Sequence, residues 1–280
     1  MNILGTIQRH ADFPSNFVAA RDVDVWLPPD FSEDKKYPVL YMHDGQNIFE
    51  PISSIGGVAW EVDKAIARLV ETRKISSVMV VGVWNNGDMR WREYMPQKAY
   101  EAAGFEKNRE AFLERAGGPP LSDAYLRFLV EEVKPFVDAN YPTLADQRNT
   151  FVMGSSMGGL ISLYAVSHYP HMFFGAGCVS THWLAGGDEL VDEMAKMLPD
   201  PRSHKLYFDY GTVGLDAGYE PFQLQMDAHL RKVGYTEQNW MTRKFEGADH
   251  NETAWRARVE IPLEFLLSYK PRNHLRMELE

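Results

Sequence analysis

Short stretches that are apolar at nearly every position alternate along this chain with longer stretches whose apolar residues return every three or four positions. Tyr37-Pro38-Val39-Leu40-Tyr41-Met42 is continuously apolar, and 76–83 reads the same way. Further strand-like runs lie at 150–153, 173–179, 205–210 and 240–245. Apolar runs this short predict strands covered on both faces. In 17–28, Val23, Val25 and Leu27 alternate with charged residues or Trp26. That predicts a half-exposed strand, stopped by Pro28-Pro29. Residues 60–72 predict a helix, with Val62, Ile66 and Leu69 at helical spacing. A second helix starts at Ser122, a good N-cap, and carries Leu126, Leu129, Val130 and Val133 on one face. Helices are also predicted at 160–166, 188–198, 221–233 and 253–267. Repeated strand–helix alternation predicts an α/β fold: a doubly wound, mostly parallel sheet with helices on both faces. Its strands at 37–42 and 76–83 are joined by a right-handed crossover through the first helix.

One segment breaks the alternation. No strand pattern is visible from Trp84 to about Ser122, although 98–115 is charged enough for a surface helix. A connection this long is usually either functional or disordered. The expectation is a single domain, 1–280, with a flap or cap inserted at about 84–120.

Composition then narrows the classes. The chain has 280 residues and a net charge of −10, which argues against nucleic acid and anionic membrane surfaces as partners. Its longest apolar runs fall short of the ~18 residues of a membrane span, and the polar N-terminus does not resemble a secretion signal. Cys178 is the only cysteine, so neither an internal disulfide nor a CxxC metal site is possible. The expected address is cytoplasmic. No metal site is expected, and the sequence leaves the oligomeric state unknown.

The chemistry concentrates at Gly154-Ser155-Ser156-Met157-Gly158, a Gly-x-Ser-x-Gly match between a strand-like and a helix-like run. That context is the one a nucleophile elbow requires: Ser156 is lifted above a sheet at the mouth of a helix. A serine hydroxyl needs a base, and the base needs a group to orient it. In doubly wound hydrolases the order is Ser, acid, His. The eligible histidines are His168, His171, His182, His204, His229, His250 and His274. His250 follows the last strand and precedes the last helix, which is the required place; His182, after another strand, carries the next weight. Among the acids, Asp216 lies in the loop after 205–210, whereas Asp209 is still within the strand and Glu220 opens a helix. Asp216 is the favoured acid, with the other two left open. An oxyanion would be met by the amides of Met157 and Gln46, the latter in a loop turned by Gly45. His43 precedes Ser156 and is read as packing under that loop.

Several segments together resemble the putative-esterase family of α/β-hydrolases, which includes siderophore esterases, feruloyl and acetyl carbohydrate esterases, esterase D and the mycolyltransferases. They are 21–29, 37–47, 90–96, 154–160 and 249–255, and they span nearly the whole chain in family order. The resemblance implies the α/β-hydrolase fold, Ser156 as nucleophile, His250 as base and Gln46 as the oxyanion donor after the glycine. It fixes the acid and the substrate less firmly.

The resulting expectation is a serine carboxylic-ester hydrolase that needs no cofactor and works through an acyl-enzyme on Ser156. An acyltransferase and a non-catalytic carbohydrate- or ligand-binding protein are the competing readings. Trp60, Trp84, Trp91, Trp183 and Trp255 fall near the expected pocket and hint at an aryl or sugar-linked ester. Arg90 and Arg92 either meet an anionic substrate or pair with Glu93 and Asp88.

Overall fold

Eight strands form one sheet in the computed structural model, which describes residues 3–268. The strands are β1 (Thr6–Phe13), β2 (Arg21–Leu27), β3 (Val39–His43), β4 (Met79–Val83), β5 (Thr150–Ser155), β6 (Gly175–Val179), β7 (Lys205–Gly211) and β8 (Trp240–Phe245). Their spatial order is β1-β2-β4-β3-β5-β6-β7-β8. β2 runs antiparallel to both β1 and β4, and every other pairing is parallel. This is the expected mostly parallel sheet, extended by one strand that the sequence pattern did not predict. β1 carries few apolar residues, sits at the exposed edge and is broken by a register shift between His10 and Phe13.

The helices are α1 (Val62–Glu71), α2 (Arg90–Tyr94), α3 (Gln97–Glu101), α4 (Arg109–Ala116), α5 (Ser122–Arg127), α6 (Lys134–Asn140), α7 (Met157–His168), α8 (Gly187–Ala195), α9 (Glu220–Val233), α10 (Glu252–Arg258) and α11 (Glu260–Leu267). They cover both faces of the sheet, because successive strand residues point to opposite sides. On one face Val39, Tyr41, Val152, Ala176 and Phe208 meet Leu126, Leu129, Leu160 and Leu163. On the other Leu40, Met42, Val80, Met153 and Tyr207 meet Ile66, Leu69, Leu263 and Leu266.

Proline placement explains two departures from the predicted helices. The final helix is divided at Val259, because Pro262 has no amide proton for the carbonyl four residues back. Between α5 and α6 the chain makes a wide π turn, Phe128–Val133, just ahead of Pro135. Ser122 is not an N-cap: it is the first residue of α5, and its hydroxyl accepts the Gln97 amide at 2.9 Å. β2 is not half-exposed either. Asp24 is buried because Arg9 grips it through two contacts and the Trp84 indole donates to it.

The segment 84–120 folds into α2, α3 and α4 and packs into the core through Tyr94, Met95, Tyr100, Phe105 and Phe112. No helix among the described residues is long and apolar enough to cross a membrane.

Candidate active site

β5 ends at Ser155 and α7 begins at Met157, so Ser156 alone makes the turn. Its backbone sits at φ 59°, ψ −123°, a conformation that costs an L-residue about 1–3 kcal/mol. Backbone bonds hold it there. The Ser156 amide donates to Val179 O at 2.9 Å, and its carbonyl accepts from Gly159 and His182 at 3.0 and 3.2 Å. Gly154 is a steric necessity: a methyl there would stand 2.8 Å from the carbonyl carbon of Gly158. Met157 opens α7, so its amide lies in the turn that has no intrahelical acceptor.

The loop after β8 brings His250 to the same end of the sheet, and the loop after β7 brings Asp216. Asp216 Oδ1 lies 2.5 Å from His250 Nδ1. Its other oxygen accepts from Ser180 Oγ at 2.6 Å and from the Gly211 amide at 2.7 Å. Burial alone would raise the Asp216 pKa, but the hydrogen bonds from His250, Ser180 and Gly211 outweigh it and hold the carboxyl below its usual range. The two rival acids are engaged elsewhere. Asp209 takes two contacts from Arg258 and one from the Tyr207 hydroxyl. Glu220 meets Tyr210 and Lys244.

Ser180, Arg258 and Trp255 form a floor beneath Asp216 that the sequence did not disclose. Ser180 Oγ accepts from Trp255 Nε1 at 3.0 Å and from Arg258 Nη2 at 2.8 Å. With two donors aimed at it, the Ser180 proton is left for Asp216. These residues come from the end of β6 and from α10, and no local motif links them.

The loop after β3 closes the opposite side. Asp44 adopts a left-handed conformation and opens a single 3₁₀ turn, Gly45–Asn47, in which Gln46 is buried. A methyl on Gly45 would lie 2.6 Å from the carbonyl carbon of Gly82, so only glycine lets the loop rest on β4. The Gln46 side-chain oxygen accepts the Asn85 amide at 3.2 Å. Arg90 clamps Asp44 with contacts of 2.7 and 2.6 Å, and Asn85 adds a third at 2.7 Å. The partner of Arg90 is therefore neither Asp88 nor Glu93, which the sequence offered. Glu93 is bound by Arg21 in a buried pair. Arg92 donates to the Pro119 carbonyl. His43 is buried, bonds the Tyr125 hydroxyl at 2.8 Å, and is driven down to a pKa of about 3 by burial.

The tryptophans divide. Trp183 is fully buried, donates to Gln223 and stacks near Phe208, and Trp60 is buried against Trp255. Both are core residues, which corrects their expected place on the pocket wall. Trp91 is half-buried, with its ring edge-on to His182 at 5.3 Å and the Arg115 guanidinium 4.0 Å above it. Among the other histidines, His204 bonds the carbonyls of Asp200 and Pro170 at the far end of the sheet. His229 of α9 pairs with Asp192 of α8 at the surface. His168 and His171 flank the end of α7, and His274 lies outside the described residues.

His182 and Tyr219 complete the cluster. His182 Nδ1 lies 2.6 Å from the Tyr219 hydroxyl, which in turn neighbours the Ser156 side chain. The Tyr219 ring stands edge-on to His250 at 5.6 Å. The loop that supplies Asp216 thus also supplies Tyr219.

A family model described as "Putative esterase" matches residues 16–262. The chain belongs to the putative-esterase family. This makes it one of a family of hydrolases acting on esters, and the sheet and helices are those of the α/β-hydrolase fold. An uncharacterized Bacillus subtilis protein, YjcH, is 26% identical over 213 residues, 76% of this chain and 75% of that one. A ferulic acid esterase structure superposes with a TM-score of 0.68 at 18% identity, covering 95% of this chain and 99% of its own. An IroE-like serine hydrolase from Shewanella oneidensis gives 0.67 at 18% identity, covering 93% and 79%. Within the family, the segments that carried the resemblance form the elbow, the His250 loop and the Asp44–Asn47 turn.

Proposed function

We propose that this protein is a serine esterase that cleaves carboxylic esters through an acyl-enzyme on Ser156, with His250 as base and Asp216 as its orienting acid. The observation that carries the reading is the 2.5 Å contact of Asp216 with His250 Nδ1, beside a serine held at φ 59°. A carboxylate on Nδ1 fixes the tautomer in which Nε2 is the free lone pair, and it stabilises the imidazolium that proton uptake creates. His250 takes the Ser156 proton as Oγ attacks the ester carbon. The Met157 and Gln46 amides donate to the oxyanion. His250 then protonates the departing alcohol, and water releases the acid by the reverse sequence.

The substrate is a small ester with an aryl or sugar-linked part that lies along Trp91, covered by the segment 84–120. Support comes from the half-buried Trp91 ring beside His182 and from the likeness to a ferulic acid esterase.

The test is hydrolysis of p-nitrophenyl acetate and butyrate by wild type, Ser156→Ala and His250→Ala, with an acyl-phosphonate label located by mass spectrometry. Activity is expected to disappear in both variants, with the label on Ser156. Full activity in Ser156→Ala would refute the reading.

A further inference from the structure

Arg90 and Arg92 are both occupied, by Asp44 and by the Pro119 carbonyl. Arg115, in the last turn of α4, is not. Its side chain is exposed and makes no hydrogen bond or ion pair with any described residue. It is nevertheless held in one place. Its guanidinium carbon rests 4.0 Å above the centre of the Trp91 ring. The chain around it is pinned to α2 and α3. The buried Phe112 ring lies 5.4 Å from that of Tyr100, the Pro119 carbonyl accepts from Arg92, and the Leu121 amide donates to the Arg92 carbonyl at 2.7 Å. Trp91 in turn meets His182 edge-on at 5.3 Å, and the His182 ring lies 6.4 Å from that of His250. Two rings, Trp91 and His182, thus lead from this cation to the base. Its charge is felt at both His182 and Tyr219. A guanidinium lying on an indole keeps its N–H edges free, and those edges match a carboxylate.

We propose that Arg115 is a specificity-determining residue that binds a carboxylate on the substrate, so that the esters this enzyme prefers are anionic. The proposal rests on the serine-esterase reading and narrows its substrate class. It adds no step to the reaction. The part of the substrate that lies along Trp91 carries the carboxylate to the open edge of the guanidinium, and Trp91 fixes where that edge stands. Trp91 and Arg115 then act as one unit, the ring for shape and the cation for charge. Because the site is partly shielded by the substrate itself, the contact is worth more than an ion pair in open water.

The experiment compares esters matched in shape but not in charge. p-Nitrophenyl hydrogen adipate against p-nitrophenyl hexanoate places the carboxylate on the acyl side. 4-Acetoxybenzoate against its methyl ester places it on the alcohol side. The quantity read is the ratio of kcat/KM, anionic over neutral, so that a general loss of activity or of folded protein cancels. Wild type is expected to favour the anionic member of one pair, and less so as NaCl is raised from about 0.02 to 0.5 M. Arg115→Gln should lower that ratio about five- to thirtyfold, and Arg115→Glu further still. Arg115→Lys, which keeps the charge and loses the fork, should fall between wild type and Arg115→Gln. No anionic preference in wild type, or a ratio that Arg115→Gln leaves unchanged in both pairs, overturns the proposal alone and leaves Arg115 as a cover for Trp91. If Ser156 takes the acyl-phosphonate label but none of the four esters turns over, protection from the label by 4-hydroxybenzoate replaces the ratio: protection in wild type that Arg115→Gln loses supports the proposal, and its absence in wild type overturns it. No turnover and no label on Ser156 overturns the serine-esterase reading as well.

Discussion

Arg90 holds the carboxylate of Asp44 through two contacts, 2.7 and 2.6 Å, and so joins the segment after β4 to the loop after β3. The same guanidinium reaches the Ser155 carbonyl at 3.5 Å. Asp44 Oδ2 lies 3.2 Å from where a side chain on Gly158 would begin. The pair is therefore wedged between the Gln46 turn and the elbow. Burial pushes the Asp44 pKa up, yet Arg90 and Asn85 hold it below the usual carboxylate range.

Removing one member of this pair should cost more than removing both. Arg90→Leu leaves a buried carboxylate without its cation, a loss of about 3–5 kcal/mol for a fully buried pair and less here, since Arg90 is partly exposed. Arg90→Leu combined with Asp44→Leu should recover part of that stability. Urea unfolding of the single and double variants gives the coupling; additive losses would show that the pair is not the unit described.

Ser180→Ala withdraws a donor from Asp216 and an acceptor from both Trp255 and Arg258. The expected loss is about 1–3 kcal/mol of stability. The kinetic loss should fall on kcat, because none of these side chains faces the substrate. A change confined to KM would contradict this assignment.

Stability should fall as the solution is acidified, beginning well above the carboxylate range. His43 and His182 are each depressed to about 3 in the folded state, against about 6.5 when unfolded. Between those values the unfolded chain binds the protons and the folded chain does not. Each histidine therefore removes about 1.4 kcal/mol per pH unit below pH ~6.5. Asp44 and Asp216 have the opposite chemistry but the same direction. Their depressed folded values contribute stability above pH ~3.9, which is lost as pH falls through them. Denaturant midpoints at pH 7.5, 6, 5 and 4 test the slope. A flat profile from 6.5 to 4.5 would mean that the two imidazoles are not buried neutral.

Trp91→Ala should raise KM for aryl esters by about tenfold, in line with the ~1.4 kcal/mol worth of an aromatic contact. The effect on a short aliphatic ester such as ethyl acetate should be much smaller. Equal effects on both would move the aryl site away from Trp91.

The parts of this molecule that could be read along the chain share one property: their signal is local. The elbow is a five-residue pattern flanked by apolar runs, and the strands announce themselves by continuous burial. Position in the alternation was enough to favour His250 and Asp216, which the structure brings together. β1 gave no such signal, because an edge strand is held by its partner's backbone rather than by its own apolar residues. Ser180, Asp209 and Arg258 meet only through sheet order, which spacing does not encode. The tryptophans misled because a large ring near a loop serves the core and the pocket equally well on paper; only burial distinguishes Trp183 from Trp91.

Below His250 the fold encloses two carboxylates, Asp209 and Asp216, and one guanidinium, Arg258, 3.0 and 3.9 Å from them. With both acids ionised, this enclosed group carries a surplus of one negative charge while the imidazole is neutral. A proton arriving on His250 restores electroneutrality. The cost of enclosing that unbalanced charge falls on folding, once, and not on each turnover.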